Sequence, residues 1–151
     1  MLDDIDRRLL RQLQADPKLT TSALAARSRV TAQMAARRLE KLRAQGILRG
    51  IHGVIDWRAL GYEVEVSLRI TLDKTQRTAF DDFIAAARQV PEVIEIQTFL
   101  GRVDVRLSII ARDMKHYQEI YRDRVLALPH IADIEALMEV ARIKTPEGLP
   151  I

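Results

Sequence analysis

The sequence predicts an α+β chain of two modules, three short helices in front and a β-α-β-β-α-β unit behind. Three observations carry this expectation. Apolar residues recur at helical spacing through the first 46 positions and then, from residue 63, alternate strictly with polar ones. Pro17, Gly46, Pro91 and Pro129 fall where elements should stop. The charge changes with the period: residues 1–62 carry a net +6 and residues 63–151 a net −3. A basic front half fits a polyanionic partner, although a charged surface can fluctuate this much by chance.

In the front module Leu2, Ile5, Leu9 and Leu13 mark the first helix. Asp3 and Asp4 lie near its start, where negative charge meets the positive end of the helix dipole. Asp16-Pro17 ends it, because a residue before proline avoids the α region. Thr20, Thr21 or Ser22 caps a short second helix from about Ser22 to Arg27. Ser28-Arg29-Val30 forms the turn, Thr31 caps a third helix reaching about Ala44, and Gly46 stops it. Ile47 to Ile55, with Gly50 and Gly53, reads as a small β-hairpin or wing, giving a domain over 1–54 and a linker over 55–62.

Behind the linker, Val64, Val66, Leu68, Ile70 and Leu72 alternate with Glu63, Glu65, Ser67, Arg69 and Thr71, the pattern of a half-buried strand. Lys74 to Arg88 reads as a helix with Phe80, Phe83, Ile84 and Ala87 on its apolar face. Val93 to Leu100 is a second strand, joined by a tight turn at Gly101-Arg102 to a third containing Val103, Val105, Leu107 and Ile109. A helix over Met114–Leu128 and a strand over Ile131–Ala141 complete a ferredoxin-like βαββαβ domain, residues 63–142, before a polar tail over 143–151. Outward positions Glu65, Arg69, Glu95, Gln97, Arg106 and Ser108 are polar, but Phe99 and Ile110 are not. A mixed second face suits a subunit interface, hence a homo-oligomer of at least two copies.

Several function classes lack their signatures. There is no cysteine for disulfide or thiolate chemistry, no apolar run of about 18 residues to span a membrane, and an acidic start unlike a secretory signal. These features fit a cytoplasmic protein without a membrane partner. His52, His116 and His130 lack metal-ligand spacing, and no nucleophile elbow, P-loop or dinucleotide fingerprint appears. No catalytic residue, metal or cofactor is therefore expected. Asp81-Asp82 reads as a solvated helix face, and Trp57 and Tyr62 as packing residues.

The third helix carries the most information. Ala35, Leu39 and Leu42 form a buried stripe, and Gln33, Met34, Arg37, Arg38 and Lys41 lie opposite. Six basic residues and one acid occur between Arg27 and Arg43. A lone Arg-rich helix would be read as a solvated surface. As third in a helix–short helix–turn–helix unit, this one fits the major groove of double-stranded DNA. Arg and Lys can bind phosphate or guanine, Gln can read adenine, and Thr31 sits at a helix start that favours a phosphate. The expected DNA-binding set is Thr31, Gln33, Met34, Arg37, Arg38 and Lys41.

The run Leu2-Asp-Asp-Ile-Asp-Arg-Arg-Leu-Leu, Ala23-Leu24-Ala25, Arg38-Leu39-Glu40-Lys41-Leu42 and Gly46-Ile47-Leu48 resembles the Lrp/AsnC, or feast/famine, family of regulators. So do Leu60-Gly61, Pro91-Glu92-Val93, Gly101-x-x-Asp104, Asp113-Met114, Leu128-Pro129 and Lys144, so the resemblance covers essentially the whole chain. It implies a winged helix-turn-helix joined to a ferredoxin-like domain that dimerises, with dimers building tetramers or octamers, and transcription regulated in response to an amino acid or related metabolite. It also implies an effector-binding loop at Gly101, Arg102, Val103 and Asp104. There Asp104 can accept from an α-ammonium group, or simply cap the hairpin. Arg29 departs from the family pattern, which has glycine at that turn position. Two alternatives stay open: an enzyme resembling the sirohaem decarboxylases, whose loop is instead rich in histidine and aromatics, and an architectural DNA-compacting protein of low specificity.

Overall fold

The computed structural model describes all residues except Met1, Pro146 and Glu147. It divides into two compact units, Met1–Val54 with Ile143–Ile151, and Ile55–Arg142.

In the first unit, α1 (Asp4–Ala15) opens with a reciprocal cap. Asp6 N–H donates to the Asp3 carboxylate at 2.9 Å, and Asp3 N–H returns to Asp6 Oδ2 at 3.4 Å. Thr20 caps α2 (Thr21–Arg27) by accepting from Ala23 N–H, and Thr31 caps α3 (Ala32–Ala44) by accepting from Met34 N–H, each at 3.2 Å. Leu9, Leu24, Ala25, Ala35 and Leu39 form the core of the three helices, with Ile5, Leu13, Leu19, Val30 and Leu48 around it. Gly46, at φ +68°, ends α3, and Ile47 N–H turns back to Leu42 C=O at 2.9 Å. Residues 47–55, where a hairpin or wing is expected, contain no strand. Gly50 and Gly53 lie three apart, and the segment lacks the two-residue turn between alternating runs that closes a hairpin.

The second unit holds one antiparallel sheet, order β2-β3-β1-β4, built from β1 (Val64–Leu72), β2 (Val93–Thr98), β3 (Val105–Ala111) and β4 (Ile131–Met138). Val66, Leu68 and Ile70 of the central β1 and Val105, Leu107 and Ile109 of β3 are wholly buried on one face. The helices α4 (Ala79–Ala87) and α5 (Met114–Ile120) contribute Phe83, Ala87 and Ile120 to the same core. α5 continues as a π-helical turn over Tyr121–Val125, where Leu126 N–H reaches Tyr121 C=O at 3.0 Å. The wider turn lets Ile120 and Val125, five residues apart, both enter the core.

Several boundaries differ from the sequence reading, among them the end of the helix expected over Met114–Leu128, which stops at Val125. α4 begins at Ala79, not Lys74, because Asp73 accepts from Thr75 N–H at 3.0 Å in a turn that competes with a helix start. Its buried stripe is therefore Ala79, Phe83 and Ala87, and Phe80 points outward. The β2–β3 connection spans 99–104 rather than a two-residue turn. Asp104 bridges both neighbours, its N–H donating to Ile70 C=O at 3.0 Å and its C=O accepting from Phe99 N–H at 2.9 Å, so the turn itself lies over Leu100–Val103. β4 stops at Met138.

Arg29 sits at φ +56° in the turn before α3, a left-handed conformation that costs a residue with a Cβ about 1–2 kcal/mol. Its side chain is exposed, so no packing offsets that cost. Arg29→Gly should stabilise the protein by about 0.5–1 kcal/mol in chemical denaturation, after allowing for glycine's larger unfolded-state entropy.

Candidate nucleic-acid interface and effector loop

The local sequence of α3 determines which side chains face out. Ala35, Leu39 and Leu42 are buried at spacings of four and three, which leaves Gln33, Met34, Arg37 and Lys41 exposed on the opposite side. Together with Thr31, Arg38 and Asp3 they line one cleft of about 650 Å³. All six residues expected to contact DNA thus share one surface, but they do not share one role.

Arg38 points toward α1. Its guanidinium pairs with Asp3 and, at 3.2 Å, with Asp6, whose side chain is only 4% exposed. The Asp6 N–H, followed by Arg38, holds the Asp3 carboxyl below the ordinary carboxylate range, although the little desolvation it suffers pushes the other way. Arg38 is therefore a strut that fixes α3 against α1. Arg37 and Lys41 make no ion pair among the described residues. Sequence reasoning missed Asp3 as a member of this cleft. The acid pair at i, i+3 signals a cap, but nothing local announces a partner 35 residues away.

In the second unit, Gly101 is exposed at φ +154° with open space where a Cβ would lie, and Arg102 is exposed beside it. Asp104 behaves differently. It is buried, with Oδ2 accepting from Leu72 N–H at 2.8 Å and Oδ1 from Lys74 Nζ at 2.7 Å. Burial pushes the Asp104 carboxyl up, but Lys74 and the Leu72 N–H together hold it below its usual value. Asp104 thus anchors the loop to the end of β1, and both carboxylate oxygens already have protein donors. Thr71 Oγ1 adds a hydrogen bond to Arg102 C=O at 3.2 Å.

Two clefts flank this loop on the outer sheet face and share Arg69 and Val103. One, of about 360 Å³, adds Thr71, Arg102, Asp133 and Glu135; the other, of about 390 Å³, adds Gln97, Phe99 and Arg106. Both signs of charge therefore meet beside the loop, with Arg69 and Glu135 3.8 Å apart. Further along the same face, Glu65 is nearly fully buried. It accepts from Ser108 Oγ at 2.9 Å and from Arg142 Nη2 at 2.5 Å, and Arg58 lies 4.0 Å away. Its place in the alternation marked it only as an outward polar residue.

Residues 2–49 match the family described as winged helix-turn-helix DNA-binding, and residues 65–149 match the Lrp/AsnC ligand binding domain. The chain belongs to the Lrp/AsnC family. It is similar along its whole length to the DNA-binding transcriptional activator DecR of Escherichia coli K12, at 30% identity over all of this chain and 99% of that one. A transcriptional regulator of Neisseria meningitidis, solved as a complex with L-methionine, superposes with a TM-score of 0.90 at 25% identity, covering 99% of this chain and 97% of that one. An AsnC family transcriptional regulator from Agrobacterium tumefaciens gives a TM-score of 0.89 at 26% identity, with the same two coverages. The α3 cleft thus lies in the stretch matching the DNA-binding family, and loop 101–104 in the stretch matching the Lrp/AsnC ligand-binding domain. No helix of the described residues is long and apolar enough to cross a membrane.

The Asp104 pair has a testable pH signature. Its folded pKa lies below the unfolded value, so its contribution is present above the ordinary carboxylate range and is lost as pH falls through the lowered folded value. Asp104→Asn should be less stable than the unaltered chain by about 1–2 kcal/mol at neutral pH. The gap should close below about pH 4 in denaturation curves recorded across pH.

Proposed function

We propose that this protein is a sequence-specific, DNA-binding transcription regulator of the Lrp/AsnC type whose DNA affinity responds to an amino acid or a closely related metabolite. The single observation that carries the first half is the α3 cleft. Gln33, Met34, Arg37 and Lys41 project from one helix face, Thr31 caps its start, and Arg38 braces it from behind. A helix so braced can enter the major groove with Gln33 and Arg37 toward base edges and Lys41 toward phosphate. Its similarity to a transcriptional activator along the full chain supports the same reading.

The effector half rests on the clefts beside loop 101–104. A zwitterion needs a cation for its carboxylate and anions for its ammonium group. Arg69 and Arg102 supply the first, and Asp133 and Glu135 the second. Asp104 then acts on the ligand indirectly, by holding the loop. The methionine complex of the Neisseria regulator supports an amino-acid effector. The protein works as a homo-oligomer of at least two copies, which presents two recognition helices to a palindromic operator. It acts in the cytoplasm, by binding and not by catalysis.

Binding to DNA from upstream of the protein's own gene, against scrambled DNA of equal length at near-physiological salt, tests the reading. Arg37→Ala should weaken specific binding about tenfold or more and lower the salt slope, whereas Arg77→Ala, in the acidic half, should leave both unchanged. Equal losses would mean that α3 is not the reading helix. Equal affinity for both DNAs would instead identify an architectural compactor. In the same assay, a panel of amino acids should contain one that shifts the affinity several-fold, and Arg102→Ala should abolish that shift while leaving ligand-free binding intact.

A further inference from the structure

The 143–151 segment, a polar tail by sequence, belongs to the same compact unit as the three front helices. Its residues Leu149 and Ile151 meet the solvent side of α1 through a set of backbone-directed hydrogen bonds. The Gln14 side-chain amide takes both main-chain groups of one residue: Leu149 N–H donates to Gln14 Oε1 at 2.5 Å, and Gln14 Nε2 donates to Leu149 C=O at 3.3 Å. Three residues earlier on α1, Arg11 Nε donates to Ile151 C=O at 2.6 Å. This is the paired donor–acceptor pattern with which a neighbouring strand would take that residue, supplied here by a side chain.

The side chains lie at the rim of a cleft: Leu149 keeps 67% of its surface exposed and Ile151 is half-buried. Leu149 and Ile151 help to wall an apolar cleft of about 430 Å³ with Leu2, Leu10, Leu13, Pro17, Ile47 and Ile51. Pro150 lies between them. It confines Leu149 to extended backbone, so part of the ordering cost of docking is already met in the free segment.

We propose that residues 148–151 are an internal peptide ligand of the winged-helix unit, and that the α1 cleft with Gln14 and Arg11 is a binding site for an extended apolar Leu-Pro-Ile stretch. The site holds the C-terminal half of α1, while the N-terminal end of the same helix holds Arg38 through Asp3 and Asp6. Docking therefore stiffens the helix on which the α3 strut bears. The proposal stands on this unit's own contacts and does not depend on what α3 binds.

Hydrogen exchange of the α1 amides, measured on the full chain without DNA, tests it. Gln14→Ala and the double substitution Leu149→Asp/Ile151→Asp should each speed exchange across Leu10–Ala15 by about threefold to tenfold, with β1 and β3 as unaffected internal controls. Alanine has the higher helix propensity, so faster exchange in Gln14→Ala cannot come from a weaker α1. A synthetic peptide of residues 143–151 should restore protection to the double-substituted chain with one-to-one stoichiometry. The same peptide should add far less protection to the unaltered chain, whose own segment already engages Gln14 and Arg11. Wild-type exchange in both variants, or failure of the peptide to protect the double-substituted chain, would overturn the proposal.

Discussion

The front of this molecule is organised around one guanidinium turned inward. Arg38 sits on the helix that is richest in exposed cations, yet it leaves their company to meet Asp3 and the buried Asp6 at the start of α1. A carboxylate as enclosed as Asp6 requires a partner, because an unpaired charge at such a position is strongly unfavourable. Arg38 meets that need and reinforces the rotation of α3 that its buried stripe of Ala35, Leu39 and Leu42 already sets. Arg37, one residue earlier and about 100° around the helix, is thereby turned outward with Gln33 and Lys41. The same carboxylates close the cap of α1, so helix start, helix packing and exposed surface all depend on one small network.

The back unit follows a different rule. One face of its sheet is apolar and covered by α4, α5 and the π-helical turn; the other carries Glu65, Arg69, Arg106 and Glu135 in ion pairs. Glu65 is the extreme case, a carboxylate on the central strand enclosed by Ser108, Arg142 and Arg58. The ordered charges leave this face polar enough for water and give it both signs of charge beside loop 101–104.

Much of this was legible in the sequence because it is local. Alternation over Glu63–Leu72 placed β1 to within one residue, and Thr31 was recognisable as a cap from its place before an amphipathic run. The βαββαβ order followed from the sequence of periods alone. What the sequence hid is long-range. The start of α4 was misplaced because Asp73 captures Thr75 N–H, and Phe80 was assigned inward although the buried stripe runs through Ala79, Phe83 and Ala87 and leaves it at the margin. Gly101-x-x-Asp104 stood out as a motif, but its spacing carries no sign that Asp104 turns inward to Leu72 and Lys74, about 30 residues away. The residues lining the α3 cleft were legible as a set, while the division between the outward Arg37 and the inward Arg38 depends on acids in another helix.

The front unit is discontinuous in sequence, since the chain leaves it at Val54 and returns to it at Ile143. This bears on how such chains can recombine. A crossover in the 55–62 linker looks like a clean cut between a reading head and a sensor, but it would give the head a foreign segment opposite Gln14. A front half moved alone carries a cleft without the strip of chain that lies against it, and the back half it left behind keeps a strip with no cleft. Heads and sensors of this design are exchangeable only as a three-piece trade, in which the short segment beyond β4 travels with the helices and not with the sheet.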